Sequence, residues 1–237
     1  MAKRSYHHGN LREALIAAGL RALAEDGPTV FSLRDVARRA GVSAAAPYRH
    51  FADKDALFAA IAVESLERLR ATMDDALATA PADPLERFRA TGIAYVRFAV
   101  AHPAHFLALC VPGMAARVPA ELQCAYEGRQ AAESAQLLAG QAAGTIAPIP
   151  MDQLRLAASA IVHGLAHLIV QGELGPVDAA RATELATAVT GVLGVGLYPR
   201  TEASSPPPPS STSKDRPRAA SRRRARGSAR RGPGHRA

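Results

Sequence analysis

The 237-residue sequence has no tryptophan, only two cysteines and no run of eighteen consecutive apolar residues. Two cysteines cannot form the disulfide framework of a small secreted domain, and they lack the paired spacing of a zinc finger. We expect Cys110 and Cys124 to be reduced thiols within the core, and a disulfide or redox switch is the alternative. Without a long apolar run or an apolar N-terminal segment, we expect no membrane span, no secretory signal and a cytoplasmic location.

Sequence signatures of enzymes are also missing. The chain has no Gly-x-Ser-x-Gly, no phosphate-binding loop and no pair of carboxylates in a suggestive setting. We therefore predict that the protein is not an enzyme and that it has no cofactor and no metal.

The net charge of +8 is concentrated at the two ends of the chain. Residues 1–59 carry nine basic and six acidic residues, whereas residues 60–199 carry nine and thirteen. Residues 200–237 carry eleven basic and two acidic residues, together with prolines and serines but no large apolar residue. We predict that this tail is disordered and that it strengthens binding to nucleic acid. The alternative is that the tail is a solvated terminus without a role, or a targeting signal that another protein recognises.

Apolar residues recur at helical spacing through most of the chain before residue 200, and no stretch alternates with a period of two. The pattern predicts an all-α fold of about nine helices. Gly27 and Pro28 end the first helix, Asp53 caps a helix that begins near Lys54, and Pro84 opens the next. Asp152 and Asp178 are the expected caps of the last two helices.

Residues 32–50 have the features of a helix-turn-helix. Ser32 is a cap for the first helix, Ala37 is small where two helices cross, and Gly41 suits a turn that needs a positive φ. Ser43 is the expected cap of a second helix over residues 44–50. The buried side is predicted to consist of Leu33, Val36, Ala40, Val42 and Phe51. A helix-turn-helix reads duplex DNA through its second helix, and an ordinary helical hairpin is the alternative.

Residues 11–60 resemble the N-terminal domain of the TetR family of transcriptional regulators. The resemblance rests on the helix 1 pattern, on Val-Ala-Arg-Arg-Ala-Gly-Val-Ser at 36–43, on Tyr-Arg-His-Phe at 48–51 and on Asp-Lys-Asp-Ala-Leu at 53–57. It implies that the second short helix enters the major groove, and that Tyr48, His50 and Lys54 contact phosphates. It also implies a sequence-specific regulator, a ligand-responsive repressor, that binds a palindromic operator.

The predicted DNA-binding residues are Ser32, Ser43, Ala44, Ala45, Tyr48, Arg49, His50 and Lys54. The alanines cannot make bidentate hydrogen bonds with bases, although their methyl groups can contact thymine. Pro47 removes one backbone hydrogen bond early in the second helix. Arg49 is the best candidate for a hydrogen bond to a base, and a solvated arginine is the alternative.

Residues 84–198 resemble the regulatory domain of a TetR subgroup marked by a tryptophan followed by a His-Gly pair. His163 and Gly164 supply the pair, the segment 101–106 also fits, and Ser159 replaces the tryptophan, which enlarges or repacks the cavity. The predicted ligand pocket consists of Tyr95, Phe98, His102, Phe106, Met114, Tyr126, His163 and His167, with core packing as the alternative for each. His163 and His167 have the spacing of a chelating pair, but no acidic residue or cysteine accompanies them locally, so we expect packing roles.

The last two helices carry small residues, which allow close helix approach. Ala157, Ala160 and Gly164 share one face of the first, and Gly191 and Gly194 lie in the second. The resemblance implies that these helices pair with their twofold mates in a homodimer. The predicted organisation is a helix-turn-helix domain (1–58), a helical regulatory and dimerisation domain (59–199) and a basic tail (200–237). A constitutive, nucleoid-like DNA binder that relies on the tail is the second hypothesis.

Overall fold

A computed structural model describes residues 11–197, apart from the side chains of residues 28–30 and 115. The predicted basic tail at 200–237 lies outside these residues. The described part contains eight α-helices and two 3-10 helices and no strand, which confirms the all-α prediction. The α-helices are α1 Leu11–Val30, α2 Leu33–Arg39, α3 Lys54–Thr79, α4 Pro84–Ala101, α5 Pro103–Leu109, α6 Ala120–Ala142, α7 Met151–Val170 and α8 Ala179–Leu197, and the 3-10 helices are Pro47–Arg49 and Ala115–Arg117.

Most of the predicted helix ends are confirmed. Gly27 interrupts α1 with a φ of 72°, and Pro84 lies in the first turn of α4. Asp53 accepts a hydrogen bond from the Ala56 N–H at 2.8 Å, and Asp178 caps α8 in the same way. The prediction for Asp152 is wrong because α7 begins one residue earlier, after Pro150. Asp152 therefore lies in the first turn, where its charge still favours the helix dipole.

The core around α1, α2 and the first half of α3 extends into the segment after α4. Ala108, Met114 and Val118 belong to the same buried cluster as Leu15 of α1 and Leu57 of α3. The short helix α5 packs against both α1 and α3. The predicted domain boundary between residues 58 and 59 falls within α3, and the described residues belong to one compact unit.

Helix α4 is the centre of the remaining helices, since it packs against α3, α5, α6, α7 and α8. Its buried residues divide between two sides. Phe98 packs in a cluster with Leu69 and Met73 of α3, whereas Val96 packs in a cluster with Leu165 of α7 and Ala186 of α8. The helix thus connects the α7–α8 pair to the helices that carry the N-terminal motif.

Helix α7 is long and apolar enough to span a bilayer by length and composition, in contrast to the expectation from the sequence. It contains no long uninterrupted apolar run because polar residues, among them Arg155, His163 and His167, divide its apolar residues. Its inward face packs in the core through Leu154, Leu165, Ala166 and Ile169. Only 22% of its apolar stretch of 18 residues is buried, so most of this helix is exposed in a single chain.

Both cysteines are free thiols. Cys110 is half-buried at the end of α5, whereas Cys124 is exposed on α6, so its predicted core location is wrong. Near Cys124, the inward side of α6 carries Leu122 and Tyr126, which are partly buried. Cys124 lies midway between them in sequence, and a helix turns residues two positions apart to opposite sides.

Candidate DNA interface and ligand cavity

The first half of the helix-turn-helix forms as predicted. Ser32 Oγ accepts a hydrogen bond from the Asp35 N–H at 3.2 Å, so α2 begins with a capped turn. After α2, Gly41 adopts a φ of 71°. The Gly41 N–H bonds to the Arg38 carbonyl at 3.2 Å and the Val42 N–H bonds to the Ala37 carbonyl at 3.0 Å. These two hydrogen bonds close the end of α2, and the chain reverses direction at Gly41, which has a left-handed backbone conformation.

The second half differs from the prediction of a helix over residues 44–50 capped by Ser43. The helical part is the 3-10 helix Pro47–Arg49, its N-cap is Ala46, and no side chain caps it. Ser43 instead accepts a bond from the Ala46 N–H through its backbone carbonyl, at 3.0 Å. The cause is Pro47, which has no N–H to donate to the Ser43 carbonyl and whose ring would clash with that carbonyl in an α-helix.

The side chains of this segment separate cleanly by burial. Pro47 and Phe51 are buried and fix the segment to the body, whereas Tyr48, Arg49 and His50 between them are exposed. Ser43, Ala44 and Ala45 are exposed in the preceding turn. The structure therefore presents the predicted residues of the second helix as one accessible stretch of chain.

Lys54 occupies the first residue of α3, close to a pair of stacked aromatic rings. Its ammonium group lies 5.2 Å from the centre of the Phe58 ring and 5.7 Å from that of Phe31. Such rings attract a cation through their faces. Lys54 is half-buried, so its charge is held at the positive end of a helix, where a phosphate also binds favourably.

One exposed cation of the motif, Arg34, was not among the predicted DNA-binding residues. Arg34 is exposed near the start of α2, two residues after the Ser32 cap, and forms no ion pair with any described residue. Its position two residues after the predicted cap, at the start of a helix of the DNA-binding motif, could have identified it as a candidate phosphate contact. The other two arginines of α2 are paired, since Arg38 binds Asp35 and Arg39 binds Asp35, Glu25 and Asp26.

A cavity of about 270 Å³ lies among α4, α6, α7 and α8. Three of the predicted pocket residues line it, namely Tyr95, Tyr126 and His163, and Ser159 lines it as well. The others lie elsewhere. Phe98 and Phe106 are fully buried in the core, Met114 is buried in the cluster around α1, His102 ends α4 against the Phe98 ring, and His167 lies beside the Phe106 ring.

The polar lining of the cavity was not predicted. Glu133 accepts a hydrogen bond from Thr91 at 3.0 Å and pairs with Arg155 at 3.5 Å. Burial raises the pKa of Glu133, opposed by these two partners. Two further donors on the cavity lining, Arg89 Nε and Arg129 Nη1, are buried and form no hydrogen bond with any described residue. Arg129 Nη1 also lies 3.5 Å from Asp74 Oδ1, in an ion pair without hydrogen-bond geometry. Buried donors are almost always satisfied in proteins, so both arginines can accept a ligand's acceptor atom as a hydrogen-bond partner, Arg129 in competition with Asp74.

One edge of the cavity brings the histidine pair of α7 close to Cys110, which lies far from it in the sequence. Tyr95 Oη lies 2.8 Å from His163 Nδ1, and burial raises the pKa of Tyr95. Ligand atoms of Cys110, His163 and His167 lie within 4.8 Å of one another. The helical spacing predicted the histidine pair, whereas the arrival of Cys110 depends on how α5 packs beside α7.

Comparisons with known proteins agree with this arrangement. The family model of bacterial regulatory proteins, tetR family, matches residues 15–61, and the model of a tetracyclin repressor-like C-terminal domain matches residues 88–193. The HTH-type transcriptional regulator BetI of Rhizobium meliloti (strain 1021) is 34% identical over 87 residues, which is 37% of this chain. The match spans about two fifths (41%) of the length of that curated relative.

Solved structures match over most of the chain. A protein of unknown function from Rhodococcus sp. RHA1 is 34% identical, with a TM-score of 0.62, and the match covers 83% of this chain and all (100%) of that chain. A TetR family transcription regulator from Marinobacter aquaeolei VT8 is 22% identical, with a TM-score of 0.64, over 81% of this chain and 97% of that chain. This second likeness is one of fold.

Proposed function

Because this chain belongs to the TetR family of transcription regulators, we propose that it is a cytoplasmic repressor that binds a palindromic operator as a homodimer. It is a DNA-binding transcriptional regulator and not an enzyme, and regulators of this family bind DNA operators and small-molecule effectors as dimers. In the proposal a small molecule enters the cavity and lowers operator affinity. The observation that carries the proposal is the exposed stretch Tyr48–His50, fixed between the buried Pro47 and Phe51.

The proposed DNA contacts follow from the chemistry of each exposed group. Tyr48 and His50 donate hydrogen bonds to phosphates, and Lys54 adds charge at the start of α3. The hydroxyl groups of Ser32 and Ser43 supply two further phosphate contacts. Arg49 is the group suited to a base edge, and Ala44 and Ala45 offer methyl contacts to thymine.

A second copy of the chain is the proposed partner of the α7–α8 face, which we define as Leu156, Ala157, Ala160, Leu168, Ala188, Val192 and Val195. These residues are exposed in the single chain. Val192 is 77% and Val195 is 76% exposed. Apolar side chains this exposed are typical of an interface that a partner covers, and two helix-turn-helix units suit a palindromic site.

The proposed effector is a largely apolar molecule that carries a hydrogen-bond acceptor. Apolar lining residues such as Phe88, Val162 and Leu193 suit its body, and Arg89 and Arg129 offer buried donors that form no hydrogen bond with any described residue. An effector there contacts α4, which packs against both α3 and α5. A shift of α4 on binding would therefore reach the helices that support the DNA-binding motif, and would change the spacing of the two motifs in a dimer.

The test of DNA recognition begins with selection of binding sites from a random DNA pool by the full-length protein. We expect a palindromic consensus whose complex, in a gel-shift assay, survives a large excess of random DNA. If random DNA competes as well as the consensus, the protein is instead a non-specific, nucleoid-like binder and the proposal is wrong.

The effector proposal is tested by thermal shift with a library of apolar carboxylates and neutral apolar molecules. A ligand that raises the melting temperature should lower operator affinity in the same concentration range. Its effect should weaken in Arg129→Met and persist in Arg70→Met, a control on the exposed side of α3. If the ligand raises the melting temperature of both variants equally, it does not bind in this cavity.

A further inference from the structure

We propose that Cys110, His163 and His167 form a binding site for a zinc-class metal ion at the edge of the cavity. The ligand atoms of the three residues lie within 4.8 Å of one another. In a tetrahedral zinc site, bond lengths of about 2.0–2.3 Å place neighbouring ligand atoms roughly 3.5 Å apart. Small side-chain rotations therefore close the set around one ion.

Backbone hydrogen bonds and ring contacts hold the three residues in place. His163 and His167 are one turn apart on α7, with ring centres 6.2 Å apart and ring planes inclined by 28°. The Cys110 N–H bonds to the carbonyls of Phe106 and Leu107 at 3.2 and 3.1 Å, which fixes the end of α5. The fully buried Phe106 ring lies 5.6 Å from His163 and 6.4 Å from His167, so it supports both imidazoles.

Tyr95 gives the site an outer-shell partner. Its hydroxyl lies 2.8 Å from His163 Nδ1. A hydrogen bond donated by the His163 Nδ1–H to the Tyr95 oxygen fixes the ring and leaves Nε2 unprotonated for the ion, because a metal-bound imidazole donates its other N–H to a supporting group.

The donor set selects the class of ion. One sulfur and two imidazole nitrogens suit zinc and its chemical neighbours, whereas calcium and magnesium need oxygen ligands. Binding displaces the thiol proton of Cys110 to solvent and forms a metal–thiolate bond. Three protein ligands leave the fourth position of a tetrahedral ion open to water. Because His163 and Tyr95 also line the cavity, a donor atom of a molecule in the cavity can occupy that position instead.

The test is titration of the metal-free full-length protein with Co²⁺, in the presence of a phosphine reductant instead of a thiol. We expect one thiolate-bound Co²⁺ per chain, seen as a near-ultraviolet sulfur-to-cobalt charge-transfer band, and its displacement by Zn²⁺. Histidines elsewhere in the chain, such as His7 and His8, give no such band. The band therefore reports a cysteine ligand, either Cys110 or Cys124, and its measurement needs neither operator nor effector.

Variants assign the band to the site. Cys110→Ser should abolish the band, whereas Cys124→Ser, which alters the exposed thiol of α6, should leave it unchanged. His167→Gln should weaken Co²⁺ binding about tenfold. The circular dichroism spectrum of each variant checks that it folds. Absence of the band in the unmodified protein, or its loss in Cys124→Ser and not in Cys110→Ser, would overturn the proposal.

Discussion

Arg39 Nε lies 2.6 Å from Asp35 Oδ2, one helical turn earlier on α2. The same guanidinium also pairs with Glu25 and Asp26, just before the break in α1 at Gly27. Hydrogen bonds from Arg39 and then Arg38 hold the pKa of Asp35 below its ordinary value. Arg39 therefore links the first helix of the DNA-binding motif to the helix behind it.

Replacement of Arg39 should destabilise the packing of α2 against α1. We expect Arg39→Ala to lower the melting temperature and operator affinity, because three carboxylates lose a shared partner. Since the pKa of Asp35 is depressed in the folded protein, its contribution is present at neutral pH and lost as the pH falls through that depressed value. The stability gap between Arg39→Ala and the unmodified protein, measured by thermal melts, should accordingly narrow on acidification.

Arg38→Ala is the matched control for this prediction. Arg38 lies on the same helix and pairs with the same Asp35, but its side chain is 73% exposed and reaches neither Glu25 nor Asp26. Its loss should change the melting temperature little. Equal losses in the two variants would show that the bridge to α1 has no structural role.

A second prediction concerns the hydroxyl of Tyr48. Tyr48→Phe should leave the melting temperature unchanged, since the side chain is exposed, and should weaken binding to DNA. A hydrogen bond to a charged group contributes about 1.5–3 kcal/mol, so we expect a loss of roughly ten- to a hundredfold. The loss should be similar for every operator variant, because a phosphate contact carries no sequence information.

Arg49→Ala provides the contrast. Loss of a base contact should relax discrimination at one base-pair position of the operator, by about 1–3 kcal/mol. Binding isotherms for both variants on single-substitution operators separate the two roles. A change of preference in Tyr48→Phe together with none in Arg49→Ala would reverse the assignment.

Local chemistry explains why much of the fold could be read from the sequence. Ser32, Asp53 and Asp178 cap helices through contacts with residues three positions away, and Gly41 forms its turn through neighbouring carbonyls. The missed second helix was also local, since the effect of Pro47 reaches back to the Ser43 carbonyl. The prediction of a full second helix allowed for one lost hydrogen bond at Pro47 but not for the steric clash of its ring.

Tertiary packing explains what the sequence did not reveal about the cavity. Phe98 and Phe106 have the same apolar character as a cavity wall, and only the packing of α4 and α5 buries them in the core. Cys110 approaches His163 and His167 through the placement of α5, which no spacing along the chain encodes. Arg89 and Arg129 lie on different helices, so their common cavity was equally hidden.

The third prediction concerns assembly. Ala160→Glu should convert the dimer to a monomer, because it places a charge within the apolar α7–α8 face, where it would be buried without a partner. Ala160 is exposed in the single chain, so the substitution should not prevent folding. Sedimentation velocity measures the outcome, with Ala71→Glu on the exposed side of α3 as the control. A dimer that persists in Ala160→Glu would place the interface elsewhere.

The fourth prediction concerns the basic tail, residues 200–237, with eleven basic and two acidic residues. Each phosphate that a cation neutralises releases counterions, so the logarithm of the binding constant falls with the logarithm of salt concentration by about 0.9 per contact. The tail is tethered to the folded part, so it raises the concentration of cations around any DNA that the motif has bound. Removal of the tail should therefore flatten the salt dependence of binding.

The decisive comparison is between the full-length protein and residues 1–199, on operator and on random DNA, across a series of salt concentrations. A tail that contacts only phosphates should contribute similar factors to both DNAs, so the ratio of their affinities should stay constant while both fall. If the salt dependence of the binding constant is the same with and without the tail, the tail does not contact DNA. The folded residues would then have to supply all of the affinity, through cations such as Arg34, Arg49 and Lys54.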